Sequence, residues 1–479
     1  MPSVYGLVGP TVRQAPPERN DSTYYDTDDL RLARWGASLR HRPGEGWTVK
    51  LPAERDAPYL VRPEIVFEGG VEAPPADAME LVRGFTRDAE LRERVRMTTI
   101  RRRTGLHDAD GRLIAGVVDD SVSVQNGERP PSAFRELEVE IGEDMPTDLL
   151  DALVQRLRQA GAGAPEQTAK YVRALAPESV LTPEIEVADL GDDASAGDVV
   201  RRALALSVIR LIQHDPVVRL GEDPEGVHQM RVATRRLRSD LRTFRPLLDE
   251  SWSSALRDEL GWLADVLAEV RDGDVLLRRL RDRAGELDAS EQQSAQAVLT
   301  TLQDDRDIAQ ATLVETLRSQ RYVELLDSLV AAANAPALSE RASVPADEVV
   351  PELVLRPWHK LAKRVKSLGD SPSDEKLHQV RIRTKRVRYA AEAASATVGK
   401  PAKEFAKAAE ELQDVLGELN DAVVAERWLD EWSERERSAD EAGAAAALAE
   451  RERSEARRCR GAWRATWDEL STAKLRAWM

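Results

Sequence analysis

Two stretches of the chain are arranged to grip an anion that carries many charges. Val227–Phe244 reads VHQMRVATRRLRSDLRTF and Leu377–Ala394 reads LHQVRIRTKRVRYAAEAA, each opening apolar-His-Gln and continuing as a ladder of arginine and lysine. On a helix, His228, Arg231, Arg235, Arg238 and Arg242 fall within an arc of about 80°, a cationic edge about 21 Å long. Met230, Ala233, Leu237, Leu241 and Phe244 gather on the opposite side, where they can be buried. His378, Arg381, Lys385 and Arg388 repeat the edge. A solvated helix face normally mixes signs so that i,i+4 pairs form. Between Lys376 and Arg388 there are six basic residues and no acidic one. Such a face repels itself unless it meets an anion, and successive charge-assisted contacts would hold a linear one.

A second echo follows each ladder. LADVLAEVRD starts at Leu263 and LQDVLGELND at Leu412, so a whole unit has been copied together with its charge pattern. A different chemistry is suggested by FRELEVEI at 134–141. Glu136, Glu138 and Glu140 share one strand face at i, i+2, i+4, and three carboxylates so placed repel one another without a cation. Oxygen ligands of this kind suit Mg²⁺ or Mn²⁺.

The elements that must carry these residues change once along the chain. Up to about Ala174, Gly and Pro punctuate short alternating runs: GASLRHR, GWTVKLP, RVRMTTIRRR, RLIAGVVDDSVSV and FRELEVEI. These predict strands of an antiparallel sheet or barrel. A helix is expected over Asp148–Ala160, capped near Thr147. Pro177–Gly197 reads as an acidic linker, and from Asp198 the helical period dominates. Ala332–Glu348 divides the helical half into copies at about 198–335 and 345–479, each long enough for four or more helices. The expected domains are therefore 1–176, a linker 177–197, and 198–479.

Composition narrows the partners. The net charge is −16 with an isoelectric point near 5.1, so positive charge is segregated against an acidic background. Residues Glu404–Asp440 alone carry twelve acids against four bases. That arrangement suits a compact, flexible polyanion better than duplex nucleic acid, and no interleaved aromatics suggest base stacking. The single cysteine, Cys459, leaves no disulfide framework, and six histidines without an H-x-x-x-H pair argue against a histidine metal site. The opening MPSVYGLVGP has no signal-peptide pattern, so a cytoplasmic location is expected.

The paired ladders, each trailed by L-x-x-x-L-x-E-[VL]-[RN]-D, resemble the CHAD domain over Asp198–Met479. The resemblance implies two pseudo-symmetric four-helix bundles that bind inorganic polyphosphate, with His228 and His378 as marker histidines, and association with polyphosphate granules. The earlier part resembles a CYTH domain, the triphosphate tunnel, through TYYDTDDLRLARWGASLRHR at 23–42, WTVKLP at 47–52, VVDDSVSV at 117–124, FRELEVEI at 134–141 and TAKYVRAL at 168–175. This implies an antiparallel barrel with basic residues for phosphate, here Arg40, Arg42, Lys50, Arg102, Arg103 and Lys170, and acids for a metal, here Glu136, Glu138 and Glu140. CYTH enzymes open on a strand bearing E-x-E-x-K. In this chain the first lysine is Lys50 and the only acid before Asp21 is Glu18, so that strand is absent and one barrel edge is left open. Polyphosphate binding by the helical half, with the barrel as an accessory site, therefore ranks above a metal-dependent triphosphatase, and nucleic-acid binding ranks last.

Overall fold

The computed structural model describes residues 10–52, 63–125, 132–142, 145–163, 170–175, 182–191, 193–435 and 438–479. Thr168 and Ala169 of the TAKYVRAL segment, and 177–181 and 192 of the expected linker, lie outside them. The chain forms two compact units, 1–184 and 185–479.

In the first unit, alternating β-branched and aromatic residues build one antiparallel sheet of eight strands: β1 (Thr11–Gln14), β2 (Glu18–Asp26), β3 (Ser38–Arg42), β4 (Gly46–Lys50), β5 (Glu64–Phe67), β6 (Arg92–His107), β7 (Leu113–Gln125) and β8 (Ser132–Ile141). The order is β5-β4-β3-β2-β6-β7-β8, with β1 pairing β6 in line with β2. Among the described residues β5 and β8 do not pair, so both edges stay open. Alternation did not reveal β1, β2 or β5, which are short or polar. Four helices accompany the sheet: α1 (Arg31–Trp35), α2 (Ala76–Thr86), α3 (Thr147–Gln159) and α4 (Lys170–Leu175). Thr147 is the first helical residue of α3 and not its cap, a position that Pro146 takes. Leu153 and Leu157 of α3 pack on Leu106, Ala115 and Val117 of the sheet. On another part of the sheet, Tyr171 of α4 stacks on Tyr24 with ring centres 5.3 Å apart.

The expected linker is anchored at both ends. Glu184 accepts a bond from Trp35 Nε1 at 2.6 Å and pairs with the buried Arg87. In the second unit Ala188 O accepts from Arg202 at 2.6 Å, and Ser195 forms a capping box with Asp198.

The second unit is all helix: α5 (Ala196–Leu220), α6 (Pro224–Thr243), α7 (Glu250–Ala284), α8 (Ala289–Arg318) and α9 (Gln320–Asn334), then α10 (Ala346–Lys366), α11 (Asp374–Val398), α12 (Lys400–Ser433) and α13 (Ala439–Leu470). The first copy thus has a fifth helix, α9, which packs on α5. The copies start side by side, since Ala196 N donates to Val344 O and Ala346 N to Ala194 O, both at 2.9 Å. They also share a core, in which Leu276, Leu280, Val298 and Leu302 of α7 and α8 interleave with Leu429, Trp432, Leu448 and Ala449 of α12 and α13. Trp432 Nε1 donates to Thr301 Oγ1 at 3.1 Å across this joint.

Because one apolar joint serves both copies, they should open together. Trp432→Ala is expected to cost about 3–5 kcal/mol and to raise hydrogen exchange in α8, α12 and α13 jointly while leaving the sheet of the first unit protected. Exposure confined to α12 and α13 would contradict a shared core.

Candidate functional site

The turn before α6 places the first ladder. Gly221 closes α5 in the left-handed conformation at φ 71°, Asp223 caps Glu225 N at 2.8 Å, and Pro224 sits at the first helical position. A Cβ on Gly226 would lie 2.8 Å from Val217, so only glycine lets α6 leave α5 this closely. Ser373 caps α11 in the same way. The caps are therefore Asp223 and Ser373, and His228 and His378 stand in the second turn of their helices, not at the first.

The two ladders face each other. Buried apolar residues of α6 (Val227, Met230, Leu237, Leu241) and α11 (Leu377, Val380, Val387) turn inward. The remaining faces bring Arg231 and Arg235 within the field of Arg381 and Lys385. Burial, then Arg235, Arg381 and Arg231, drive Lys385 down to about 6, against the pull of Asp421. Arg381 is lowered for the same reasons, burial first. His228 is lowered by burial and then by Arg271, with Glu225 opposing. The Nε–H groups of Arg235 and Arg381 are buried without an acceptor among the described residues, an arrangement that costs free energy until an anion supplies one.

The second echo supplies the buttresses. Arg231 Nη1 pairs with Asp272 at 2.7 Å, and its counterpart Arg381 lies 4.0 Å from Asp421. His378 Nδ1 donates to Asn420 Oδ1 at 2.6 Å, where the first copy has Arg271 beside His228. Not every ladder residue joins this group. Arg388 is neutralised by Glu392 at 2.7 Å and Glu410 at 3.0 Å. Arg242 lies in the field of Arg386, Arg257 and Arg238 instead. Reading the ladders alone missed Arg271, Arg257, Asp272 and Asp421, although the duplicated E-V-R-D and E-L-N-D endings carried the signal for three of them.

In the first unit the sheet curls enough for Glu64 of β5 to feel Arg101 of β6. Glu64 pairs with Lys50 at 2.5 Å and Arg40 at 3.5 Å, and Arg42 pairs with Glu45 at 2.7 Å. Arg101 binds Asp120 through two bonds of 2.9 and 2.7 Å. Lys170, set beside the anchoring Tyr171, reaches Asp120 at 2.5 Å, Glu138 at 3.2 Å and Glu136 at 3.9 Å. Arg101, which was left out of the expected set, is thus the inward arginine, while Arg102 and Arg103 are exposed. Glu140 is exposed as well, and burial raises Glu136. Among the described residues no three carboxylate, histidine or cysteine side chains cluster as a metal ion needs. The acids expected to hold Mg²⁺ or Mn²⁺ converge on Lys170 and Arg101, so these residues do not fit a divalent ion as arranged.

Comparison with known proteins gives the same division. The CYTH domain matches residues 6–172 and the CHAD domain residues 202–430. The uncharacterized protein Rv2226 of Mycobacterium tuberculosis (strain ATCC 25618 / H37Rv) is 33% identical over 460 residues, covering 89% of this chain and 85% of that one. Among solved structures, the CHAD domain from the plant Ricinus communis is similar with a TM-score of 0.50 and 27% identity over 60% of this chain and 95% of its own. PptA from Streptomyces chartreusis shares the fold with a TM-score of 0.50 and 22% identity, over 57% of this chain and all of its own.

The depressed Lys385 makes the site pH-sensitive in a defined direction. Above about pH 6 the unfolded chain holds a proton at Lys385 that the folded, empty chain releases, so stability rises with pH from there towards the ordinary lysine range. A bound polyanion restores the charge, and binding at pH 7.5 should take up a proton. Calorimetry of inorganic polyphosphate binding in two buffers of different ionisation enthalpy measures that uptake, which Lys385→Met should abolish. Equal uptake in both proteins would disprove the assignment.

Proposed function

We propose that this chain, which belongs to the family of proteins joining a CYTH domain to a CHAD domain, binds inorganic polyphosphate between the basic helices α6 and α11, and holds phosphate in the barrel as an accessory site. The two domains fit a polyphosphate-related role. The observation that carries the reading is the facing set Arg231, Arg235, Arg381 and Lys385, with buried guanidinium donors that have no acceptor among the described residues. A linear chain of phosphates supplies acceptors and countercharge at closely repeated intervals, and its flexibility lets it follow a groove lined from two helices. His228 and His378 stand next to this set. His378 spends Nδ1–H on Asn420, so its Nε2 can donate to phosphate only when the ring is protonated. No described helix is long and apolar enough to cross a membrane.

A metal-dependent triphosphatase ranks second. Asp120, Glu136 and Glu138 lie together on one wall, but their charge is already met by Arg101 and Lys170. Arg40, Lys50, Arg101 and Lys170 can still offer donors to phosphate oxygens, and this chemistry needs no metal.

Two tests follow from this. Affinity for long-chain polyphosphate should increase with chain length, fall steeply with salt, and drop about a hundredfold or more in Arg235→Glu/Lys385→Glu; unchanged affinity in that variant would end the proposal. In the barrel, inorganic triphosphate should bind with little turnover in Mg²⁺ or Mn²⁺. Robust hydrolysis abolished by Glu136→Gln or Glu138→Gln would put the enzyme first.

A further inference from the structure

The duplicated basic helices correspond with an offset of 150 residues, which aligns Arg236 with Arg386 and Arg242 with Glu392. Across α6 and α11, Arg236 Nη1 meets Glu392 Oε2 at 2.9 Å. The pseudo-symmetric image of that contact brings Arg386 towards Arg242. There the acid has become a base, and an ion pair is replaced by a repulsion.

More arginines join at that place. Arg242 lies in the field of Arg386, Arg257 and Arg238, and Arg386 in that of Arg383 and Arg257; no carboxylate among the described residues acts on either of them. The group therefore draws on α6, α7 and α11. Among the described residues none of the five forms an ion pair, and the Nε–H groups of Arg257 and Arg383 are buried without an acceptor. The guanidinium of Arg238 lies against α7, where a Cβ on Gly261 would be 3.5 Å from Nη2. Arg242 is exposed and keeps the group open to solvent. Partial desolvation of its inner atoms, then the neighbouring arginines, lower Arg242 to about 10, which agrees with a cluster lacking counterions.

We infer that Arg238, Arg242, Arg257, Arg383 and Arg386 form a second anion subsite, apart from the Arg231–Arg235–Arg381–Lys385 set, that takes two or three adjoining phosphates of a linear phosphate chain. The inference rests on the polyphosphate reading and deepens it. Arg242 stands about 10 Å further along α6 than Arg235, so one long chain can occupy both subsites while a short one occupies either. At the symmetry-related place, Glu392 neutralises Arg236 and Arg388 and leaves no such site. The groove is therefore polar, with extra anion affinity at one end only.

Arg242→Glu is the decisive variant, because it copies the pairing that Glu392 already makes with Arg236 and should fold. In the free protein it should raise Tm by replacing a repulsion with an ion pair to Arg386. Titration of inorganic triphosphate into the full-length protein should show one fewer equivalent bound than in wild type, or at least a tenfold loss in one binding step, whereas Arg242→Lys should bind as wild type. Unchanged stoichiometry and affinity in Arg242→Glu overturn the subsite, as does a wild type that takes up no triphosphate. In either case titration with long-chain polyphosphate judges the wider reading separately: continued tight binding leaves it standing, and no binding removes it too.

Discussion

Two helices of the same charge are packed against each other, and much of the helical unit is arranged around that repulsion. Unit charges about 4 Å apart repel by about 1 kcal/mol in water and about 4 kcal/mol near a protein surface. The facing of Arg231 and Arg235 with Arg381 and Lys385 is therefore unfavourable in the empty protein, and Lys385 responds by tending to lose its proton. What holds the ladders in place is apolar: Met230, Leu237 and Leu241 of α6 and Val380 and Val387 of α11 are all buried. The shared joint around Trp432 prevents the copies from moving apart. A polyanion removes the repulsion and so stabilises the folded state by linkage as well as by contact.

Acids are rationed along this surface. Asp272 and Asp421 hold Arg231 and Arg381 from the neighbouring helix in each copy, which orients the guanidiniums without cancelling the set. Where the copies have diverged, their chemistry has diverged too. Arg271 beside His228 adds charge where Asn420 gives His378 a neutral partner. Asp240, fully buried on α6 where the other copy has Ala390, has no partner for either carboxylate oxygen among the described residues, and burial pushes it up to about 7 despite Arg236. Glu392 stands near enough to add to that rise.

The first unit treats charge in the opposite manner, by internal neutralisation. Asp120 is fully buried and binds both Arg101 and Lys170, and Asp119, equally buried, is held by Arg135 through two bonds of 2.7 Å. Lys170 owes its position to its neighbour Tyr171, whose Oη lies 3.1 Å from Asp26 and from Ala37 O. Asp26 in turn accepts from the amides of Thr27, Leu32 and Ala33 and so fixes α1 to the end of β2. One buried carboxylate thus links the YYDT segment, the first helix and the residue that positions Lys170.

The sequence by itself determined the order of sheet and helices, the duplication, and the side of α6 and α11 that carries charge, because period-2 and period-3.6 patterns are local and each ladder lies on one element. It marked Arg40, Lys50 and Lys170 for phosphate and Glu136 and Glu138 for a metal, whereas in the folded chain they lie in ion pairs with Glu64, Asp120 or one another. Only the tertiary structure decided which charges meet. A strand's alternation says that Arg101 and Arg102 face opposite ways, but the packing of Tyr171 and α4 decides that Arg101 is the inward one. Within α11 only the i,i+4 acid Glu392 sets Arg388 apart from Lys385, and the rest of the difference comes from other helices. Glu410 of α12 and Glu392 neutralise the first, while Arg231 and Arg235 of α6 crowd the second, and Coulomb interactions at these distances depend on neighbours from other helices that a single helix cannot specify.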